Sequence, residues 1–146
     1  MRITIQTKVE QSMEAVVEGF NESLFLKLNP PFPPVKLLQF DGCNTNDLVK
    51  LQLNFIAFKQ IWESLITADQ QTKDQFYFID EGIQLPFFLK TWKHKHVIKK
   101  EGNATVITDD IQFTTPFIVL NWLMYPALFL QFQYRKPIYK SVFKKK

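Results

Sequence analysis

The sequence has little cysteine and little glycine, and these shortages exclude several classes of protein. Its single cysteine, Cys43, has no partner for a disulfide, and four glycines are too few for a glycine-rich scaffold. The composition is 46% hydrophobic and 22% charged, which excludes a disordered chain or a low-complexity array. A chain of 146 residues buries a core without disulfides, so we expect one domain spanning residues 1–146.

A long uninterrupted apolar run is also missing. Residues 1–11 alternate apolar and polar side chains and contain no signal-peptide core, so we interpret them as a strand of the mature fold and expect a cytoplasmic protein. The most apolar stretch, residues 117–134, is interrupted by Asn121, Pro126, Gln131 and Gln133. Because a membrane-spanning helix needs about 20 apolar residues, we expect this stretch to form a buried or interfacial helix.

Acidic residues are absent from the last segment, residues 135–146, although the whole chain has a net charge of +4. The segment holds six bases, and 12 bases and 14 acids remain elsewhere. These six are Arg135, Lys136, Lys140, Lys144, Lys145 and Lys146. A nucleic-acid binder spreads its bases over a face, interleaved with aromatics, so no nucleic-acid partner is expected. We interpret the segment as a solvated, frayed helix end, with weak contact to anionic lipid at a membrane surface as the alternative.

The hydropathy pattern predicts a layout of strand, two helices, six strands and a closing helix. Ser12 is expected to cap the first helix, and the prolines between residues 29 and 34 end the helical region. Strands are then expected at 35–40, 49–55, 59–67, 75–82, 88–99 and 104–115. Beyond Pro116 the pattern is helical, with Pro126 in the first turn and Pro137 kinking the helix about three turns later.

The last two strands predict a hairpin with a defined register. Lysines alternate with Trp92, His94 and His96, so the lysine face is expected to contact solvent and the other face to point inward. A tight turn at Gly102 and Asn103 then places His96 opposite Asp109, and Trp92 opposite Phe113. His94 falls opposite Ile111 in the same register. A slip of one residue would separate the two apolar faces.

Short motifs in residues 78–116 resemble those of the SRPBCC/START-like superfamily, whose relatives include polyketide cyclases and pollen-allergen-type carriers. The motifs are Phe78-Ile79-Asp80, Pro86-Phe87, Trp92-Lys93-His94-Lys95-His96, Gly102, Thr105, Asp109-Asp110-Ile111-Gln112-Phe113 and Pro116. The resemblance implies an α+β helix-grip fold, with a curved seven-stranded antiparallel sheet wrapped around a long C-terminal helix. Two short helices would lie between strands 1 and 2. It also implies a cavity for hydrophobic molecules between the sheet and the last helix.

The candidate ligand-binding residues combine apolar side chains with a polar group. The set is Phe76, Phe78, Trp92, His94, His96, Asp109, Ile111 and Phe113. We expect a direct or water-mediated hydrogen bond between His96 and Asp109, because a buried carboxylate needs a donor. The two histidines with Asp109 lack a fourth metal ligand, so no metal or cofactor is expected. Asp80 and Asp110 are interpreted as turn or surface acids.

The resulting hypothesis is non-enzymatic binding or carriage of a hydrophobic or amphipathic, lipid-like molecule. The aromatics provide apolar contact, unless they fill a solid core instead. One alternative is a protein or membrane-surface interaction module acting through the apolar helix at 117–134, including as a homodimer. Another is a cyclase- or hydrolase-type enzyme that uses His96 and Asp109, although no motif marks a nucleophile.

Overall fold

A computed structural model describes residues 1–145 and contains one seven-stranded antiparallel sheet. The strands are β1 (Arg2–Val9), β2 (Val35–Phe40), β3 (Leu48–Asn54), β4 (Lys59–Gln71), β5 (Gln75–Gln84), β6 (Thr91–Glu101) and β7 (Ala104–Thr114). The helices are α1 (Met13–Glu18), α2 (Glu22–Lys27), α3 (Ile118–Gln133) and α4 (Arg135–Val142). The spatial order is β1-β7-β6-β5-β4-β3-β2, so β1 crosses over to pair with the last strand. The predicted element order is confirmed.

The hairpin of β6 and β7 has the predicted register. His96 pairs with Asp109, and Trp92 pairs with Phe113. Gly102 adopts a positive φ of 61° in the turn, which a residue without a Cβ adopts at no steric cost. Trp92, His94 and His96 are buried, whereas Lys93 is exposed. The alternation of lysines with aromatic rings therefore identified the inward face of the strand correctly.

Two clusters of buried apolar side chains fill the space between the sheet and the helices. One brings together α1, α2, α4 and the turn ends of the central strands, with Val16, Ile98, Ile107 and Tyr139 almost fully buried. The other lies under α3 and includes Ile111, Phe113, Leu128 and Phe132. Ser12 caps α1 as predicted, accepting a hydrogen bond from the Ala15 backbone N–H at 3.2 Å. The sheet thus carries helices on one face only.

The closing helix begins just beyond Pro116, as predicted, but Pro126 does not lie in its first turn. It starts at Ile118, so Pro126 lies inside α3, and the prediction that Pro126 occupies the first turn is wrong. Asn121 ties this start to the sheet, because its Oδ1 accepts from the Thr115 backbone N–H at 2.9 Å. The helix is interrupted at Tyr134, as expected from Pro137, which has no N–H for the Gln133 carbonyl. Among residues 1–145, no helix is long and apolar enough to cross a bilayer.

The segment expected to be a frayed end is ordered from Arg135 to Val142 as α4, so that prediction is wrong. Tyr139 and Phe143 lie four residues apart on one helical face, and both are buried in the core. The Phe20 ring stacks against each of them, at centroid distances of 5.9 and 6.2 Å. Aromatic packing therefore orders this basic segment. Lys146, which the sequence places in the same segment, lies outside the described residues.

Candidate functional site

A cavity of about 120 Å³ lies between the sheet and helices α2, α3 and α4. Most of its wall is apolar, and strands and helices both contribute rings, including Trp62 on β4, Phe78 on β5 and Phe132 on α3. Trp62 and Trp92 meet edge to face, with ring centroids 4.7 Å apart. An apolar concave wall with a few polar groups is the usual form of a small-molecule site.

One side of the cavity carries charged and hydrogen-bonding side chains, which we call the polar cluster. Its members are Asp80, His94, His96, Asp109 and Arg135. The sheet register places Asp80 opposite His94 and Asp109 opposite His96. The hydrogen bonds run diagonally instead: His94 Nε2 lies 2.9 Å from Asp109 Oδ1, and His96 Nε2 lies 2.9 Å from Asp80 Oδ2. Long side chains reach such diagonal neighbours across adjacent strands.

The predicted hydrogen bond between His96 and Asp109 is therefore wrong, although the two residues do face each other in the register. The nearest approach, from His96 Nδ1 to Asp109 Oδ1, is 3.7 Å. The His96 ring lies against Phe78, with centroids 4.1 Å apart and planes 10° apart. Stacking in this orientation directs Nε2 towards Asp80, which leaves Asp109 to His94.

The interpretation of Asp80 as a turn or surface acid is also wrong. Its side chain is 14% exposed, and it accepts hydrogen bonds from Trp92 Nε1 at 3.0 Å and from His96. The signal was present in the sequence, since Phe76, Phe78 and Asp80 alternate along one face of β5. Asp110 is a surface acid as expected, and it pairs with Arg2 at 2.7 Å.

Arg135 was not among the predicted site residues because it belongs to the basic terminal segment. Its guanidinium lies over the Phe132 ring, 4.2 Å from the centroid, and its Nη1 is 3.7 Å from Asp109 Oδ1. The side chain is only 12% exposed. A planar guanidinium suits this position because it stacks on a ring and stays charged when buried.

The electrostatics of the polar cluster keep both carboxylates ionised. Burial is the largest single influence on the pKa of Asp80 and of Asp109 and raises both, but hydrogen bonds and charge interactions together outweigh it, so both pKa values are lowered. Burial lowers the pKa of His96 to about 4, so this ring is neutral near pH 7. Within residues 1–145, His96 Nδ1, Asp109 Oδ2 and Arg135 Nε are buried without a hydrogen-bond partner. Such atoms are rare in folded proteins and mark unused binding capacity.

The structure separates the predicted ligand-binding residues into two groups. Phe78, Trp92, His94 and His96 line the cavity, and Asp109 lies behind His94. The other three pack in the apolar clusters: Phe76, Ile111 and Phe113. The side chain of Cys43, between β2 and β3, also reaches the cavity wall, and burial raises the pKa of its thiol to about 12. A thiol with that pKa is a poor nucleophile.

Three cluster residues also offer atoms that suit a metal ion. Asp80, His94 and His96 each present one ligand atom, and these atoms all lie within 4.8 Å of one another. The sequence pointed to Asp109 as the acid of such a group, but the structure places Asp80 there and puts Asp109 behind His94. Two histidines and a carboxylate form a donor set for Zn²⁺ or another first-row divalent cation.

No protein-family model and no curated protein sequence matches this chain. Solved structures do, and one is protein Ms6760 from Mycobacterium smegmatis, with a TM-score of 0.68, 13% identity, and coverage of 97% of this chain and 89% of that one. Norcoclaurine synthase from Thalictrum flavum, in complex with dopamine and hydroxybenzaldehyde, has a TM-score of 0.64 and 9% identity. The match covers 100% of this chain and 89% of the synthase chain. The Zhui aromatase/cyclase from Streptomyces sp. R1128 has a TM-score of 0.60 and 13% identity, and the match covers 80% of this chain and 69% of the cyclase chain.

These similarities show the fold. The chain has a helix-grip fold, with a seven-stranded antiparallel sheet, a helical C-terminal region and two short helices between β1 and β2. The predicted fold class is confirmed. Two of these neighbours are named as enzymes and the name of the third gives no activity, so function has to be argued from the site itself.

Proposed function

We propose that the chain binds a small amphipathic molecule non-covalently in the cavity. The observation that carries this proposal is one space with an aromatic wall and a polar cluster on one side. The apolar part of the molecule would lie against Trp62, Trp92 and Phe132. Its polar group would lie beside His94 and His96, where buried polar atoms have unused hydrogen-bonding capacity.

The size of the cavity narrows the class of ligand. An apolar cavity of about 150 Å³ holds one benzene ring, and this one measures about 120 Å³. We therefore favour a single-ring or short-chain amphiphile over a long-chain lipid. The similar norcoclaurine synthase structure, which holds dopamine and hydroxybenzaldehyde, supports the view that this fold accommodates single rings.

Two substitutions on α3 test whether the cavity is the binding site. Leu128 points into the cavity and is buried, whereas Leu130 on the same helix is 68% exposed. Leu128→Trp fills the cavity and should weaken binding at least about tenfold, a loss of about 1.4 kcal/mol. Leu130→Trp is the matched control and should bind as the unmodified chain does.

Isothermal titration calorimetry provides the measurement, because its signal does not depend on the tryptophans that the two substitutions introduce. Titration with 4-hydroxybenzaldehyde, with dopamine and with palmitate distinguishes single-ring ligands from a long-chain lipid. Native mass spectrometry of the purified chain detects any molecule that co-purifies. Binding that is equal in Leu128→Trp and Leu130→Trp would contradict the proposal.

A second candidate function rests on the outer face of α3. The exposed apolar side chains are Phe117, Ile118, Val119, Trp122, Leu123 and Leu130, each at least 67% exposed. Exposed lysines follow at Lys140, Lys144 and Lys145. We propose that this face docks on an anionic lipid surface, because an exposed apolar face followed in the chain by basic residues suits the boundary between acyl chains and headgroups.

Vesicle sedimentation tests this second candidate. Binding is expected to phosphatidylserine-containing vesicles and to fall with added salt, with much less binding to phosphatidylcholine alone. Trp122→Ser combined with Leu123→Ser should abolish it, whereas Ile56→Ser, at a fully exposed site on the β3–β4 turn, should not. A concentration-dependent dimer in sedimentation velocity, lost in the double variant and without vesicle binding, would assign the face to a second copy instead.

A further inference from the structure

We propose that Asp80, His94 and His96 bind one zinc-type divalent cation at the side of the cavity. Asp80 Oδ2 lies 3.5 Å from His94 Nδ1 and 2.9 Å from His96 Nε2. Ligand atoms around a tetrahedral Zn²⁺ with bonds of about 2.1 Å are roughly 3.4 Å apart. The two separations from Asp80 are therefore already near those that a bound ion requires, and all three donor atoms lie within 4.8 Å of one another.

The hydrogen bond between His94 and Asp109 fixes which nitrogen of His94 is free. Asp109 is a carboxylate and only accepts, so in the neutral ring Nε2 carries the hydrogen and Nδ1 carries the lone pair. That lone pair faces Asp80 Oδ2, which is a second acceptor, at 3.5 Å. Two facing acceptors repel unless a positive charge lies between them. A metal-binding histidine held from behind by a carboxylate is the usual arrangement at zinc sites.

His96 gives a second, independent indication. When Nε2–H donates to Asp80, Nδ1 is left as a buried acceptor, and it has no partner within the described chain. If Nε2 binds a cation instead, the ring hydrogen moves to Nδ1 and the ring stays neutral. Nδ1–H then faces Asp109 Oδ1 at 3.7 Å, so a small movement forms a hydrogen bond. The bound state thus satisfies an atom that the free state leaves unpaired.

The charge of the polar cluster favours a cation as well. The cluster contains two acids, Asp80 and Asp109, against one permanent positive charge, the Arg135 guanidinium, whose Nη1 lies 3.7 Å from Asp109 Oδ1. Buried charge of one sign is costly unless it is paired or coordinates a metal. Because all three ligand residues line the cavity, a fourth coordination position faces the space in which a small molecule would lie.

The test uses the whole chain and the metal alone. After treatment with a chelator and dialysis, ZnSO4 is titrated by calorimetry, and Co²⁺ is added while visible absorption is recorded. We expect one equivalent of Zn²⁺ and the d–d bands of four-coordinate Co²⁺. The chain has two histidines, so a histidine-selective NMR spectrum contains only these rings, and Zn²⁺ should shift both.

Substitutions assign the ligands. Asp80→Asn and His94→Gln should weaken Zn²⁺ binding by about 100-fold or more, and Asp109→Asn, which acts by positioning His94, by about 10- to 100-fold. Asp110→Asn is the matched control, because this acid lies next to Asp109 but pairs with Arg2 on the outer surface. Circular dichroism checks that each variant folds.

No uptake of Zn²⁺ by the unmodified chain would overturn the proposal. Equal affinity in Asp80→Asn and Asp110→Asn would also overturn it. If Asp80→Asn does not fold, the proposal is still overturned when Zn²⁺ leaves both histidine signals of the unmodified chain unshifted. Because no organic ligand is present, the result is independent of whether the cavity binds an amphiphile.

Discussion

The two closing helices differ in burial, and the difference is the opposite of what their compositions suggest. Helix α3 contains no charged residue, yet only Leu128 and Phe132 of its side chains are buried. Helix α4 contains an arginine and two lysines, yet its Tyr139 is completely buried. The difference follows from what each helix contacts. Helix α4 packs at the end of the sheet against β1, where it completes a core, whereas α3 has only one side over the cavity.

Truncating the buried ring of α4 should have the largest effect on the free energy of unfolding. Tyr139→Ala should lower the free energy of unfolding by about 3–5 kcal/mol, because the cavity left behind adds to the lost burial. Trp122→Ala on α3 removes a larger side chain that is 71% exposed. This substitution should change the free energy of unfolding by less than about 0.5 kcal/mol. Urea unfolding followed by circular dichroism measures both. Losses of similar size would mean that the outer face of α3 is covered in solution.

The prolines of the two closing helices, Pro126 and Pro137, should also differ in their effect on stability. Pro126 lies inside α3 and leaves the Trp122 carbonyl without its helical donor, so Pro126→Ala should raise the free energy of unfolding by about 1–3 kcal/mol. Pro137 lies in the first turn of α4, where the missing N–H costs little, and Pro137→Ala should change it by less than about 1 kcal/mol. The same urea titrations apply. Equal effects would show that α3 tolerates its proline through a local distortion.

These contrasts also show where sequence reasoning succeeds. The β6–β7 hairpin was predictable because β6 has a lysine-rich face and both strands have one apolar face, so only one register buries both apolar sets. Strand alternation identifies the face on which a side chain lies, and it correctly placed Trp92, His94 and His96 inside.

Alternation does not say which partner each side chain chooses. Asp109 lies opposite His96 but binds the diagonal neighbour His94, because stacking on Phe78 orients the His96 ring. Arg135 could not be assigned to the site either. It belongs to a terminal segment rich in lysines, and only the packing of Tyr139 and Phe143 brings the start of α4 to Asp109.

A double-mutant cycle measures how strongly α4 is tied to the sheet through this pair. Arg135 Nη1 and Asp109 Oδ1 are 3.7 Å apart and both side chains are largely buried. Arg135→Met keeps the apolar stem, Asp109→Asn keeps the shape, and their coupling should be about 1–2 kcal/mol. Lys140→Met on the same helix is exposed, and with Asp109→Asn it should be additive within about 0.5 kcal/mol. Additivity in both cycles would show that Arg135 does not interact energetically with Asp109 and is not part of the polar cluster.

The smallest expected effect separates packing from hydrogen bonding at Tyr139. Its hydroxyl is buried near Asp109 and Arg135, but no described residue pairs with it. An unpaired buried hydroxyl loses its water without compensation, so Tyr139→Phe should leave the free energy of unfolding unchanged or raise it by up to about 1 kcal/mol. The comparison with Tyr139→Ala isolates the ring, which should account for the whole stabilisation by this residue. A loss of more than about 1.5 kcal/mol, the upper end for an ordinary hydrogen bond, would instead make the hydroxyl a member of the polar cluster.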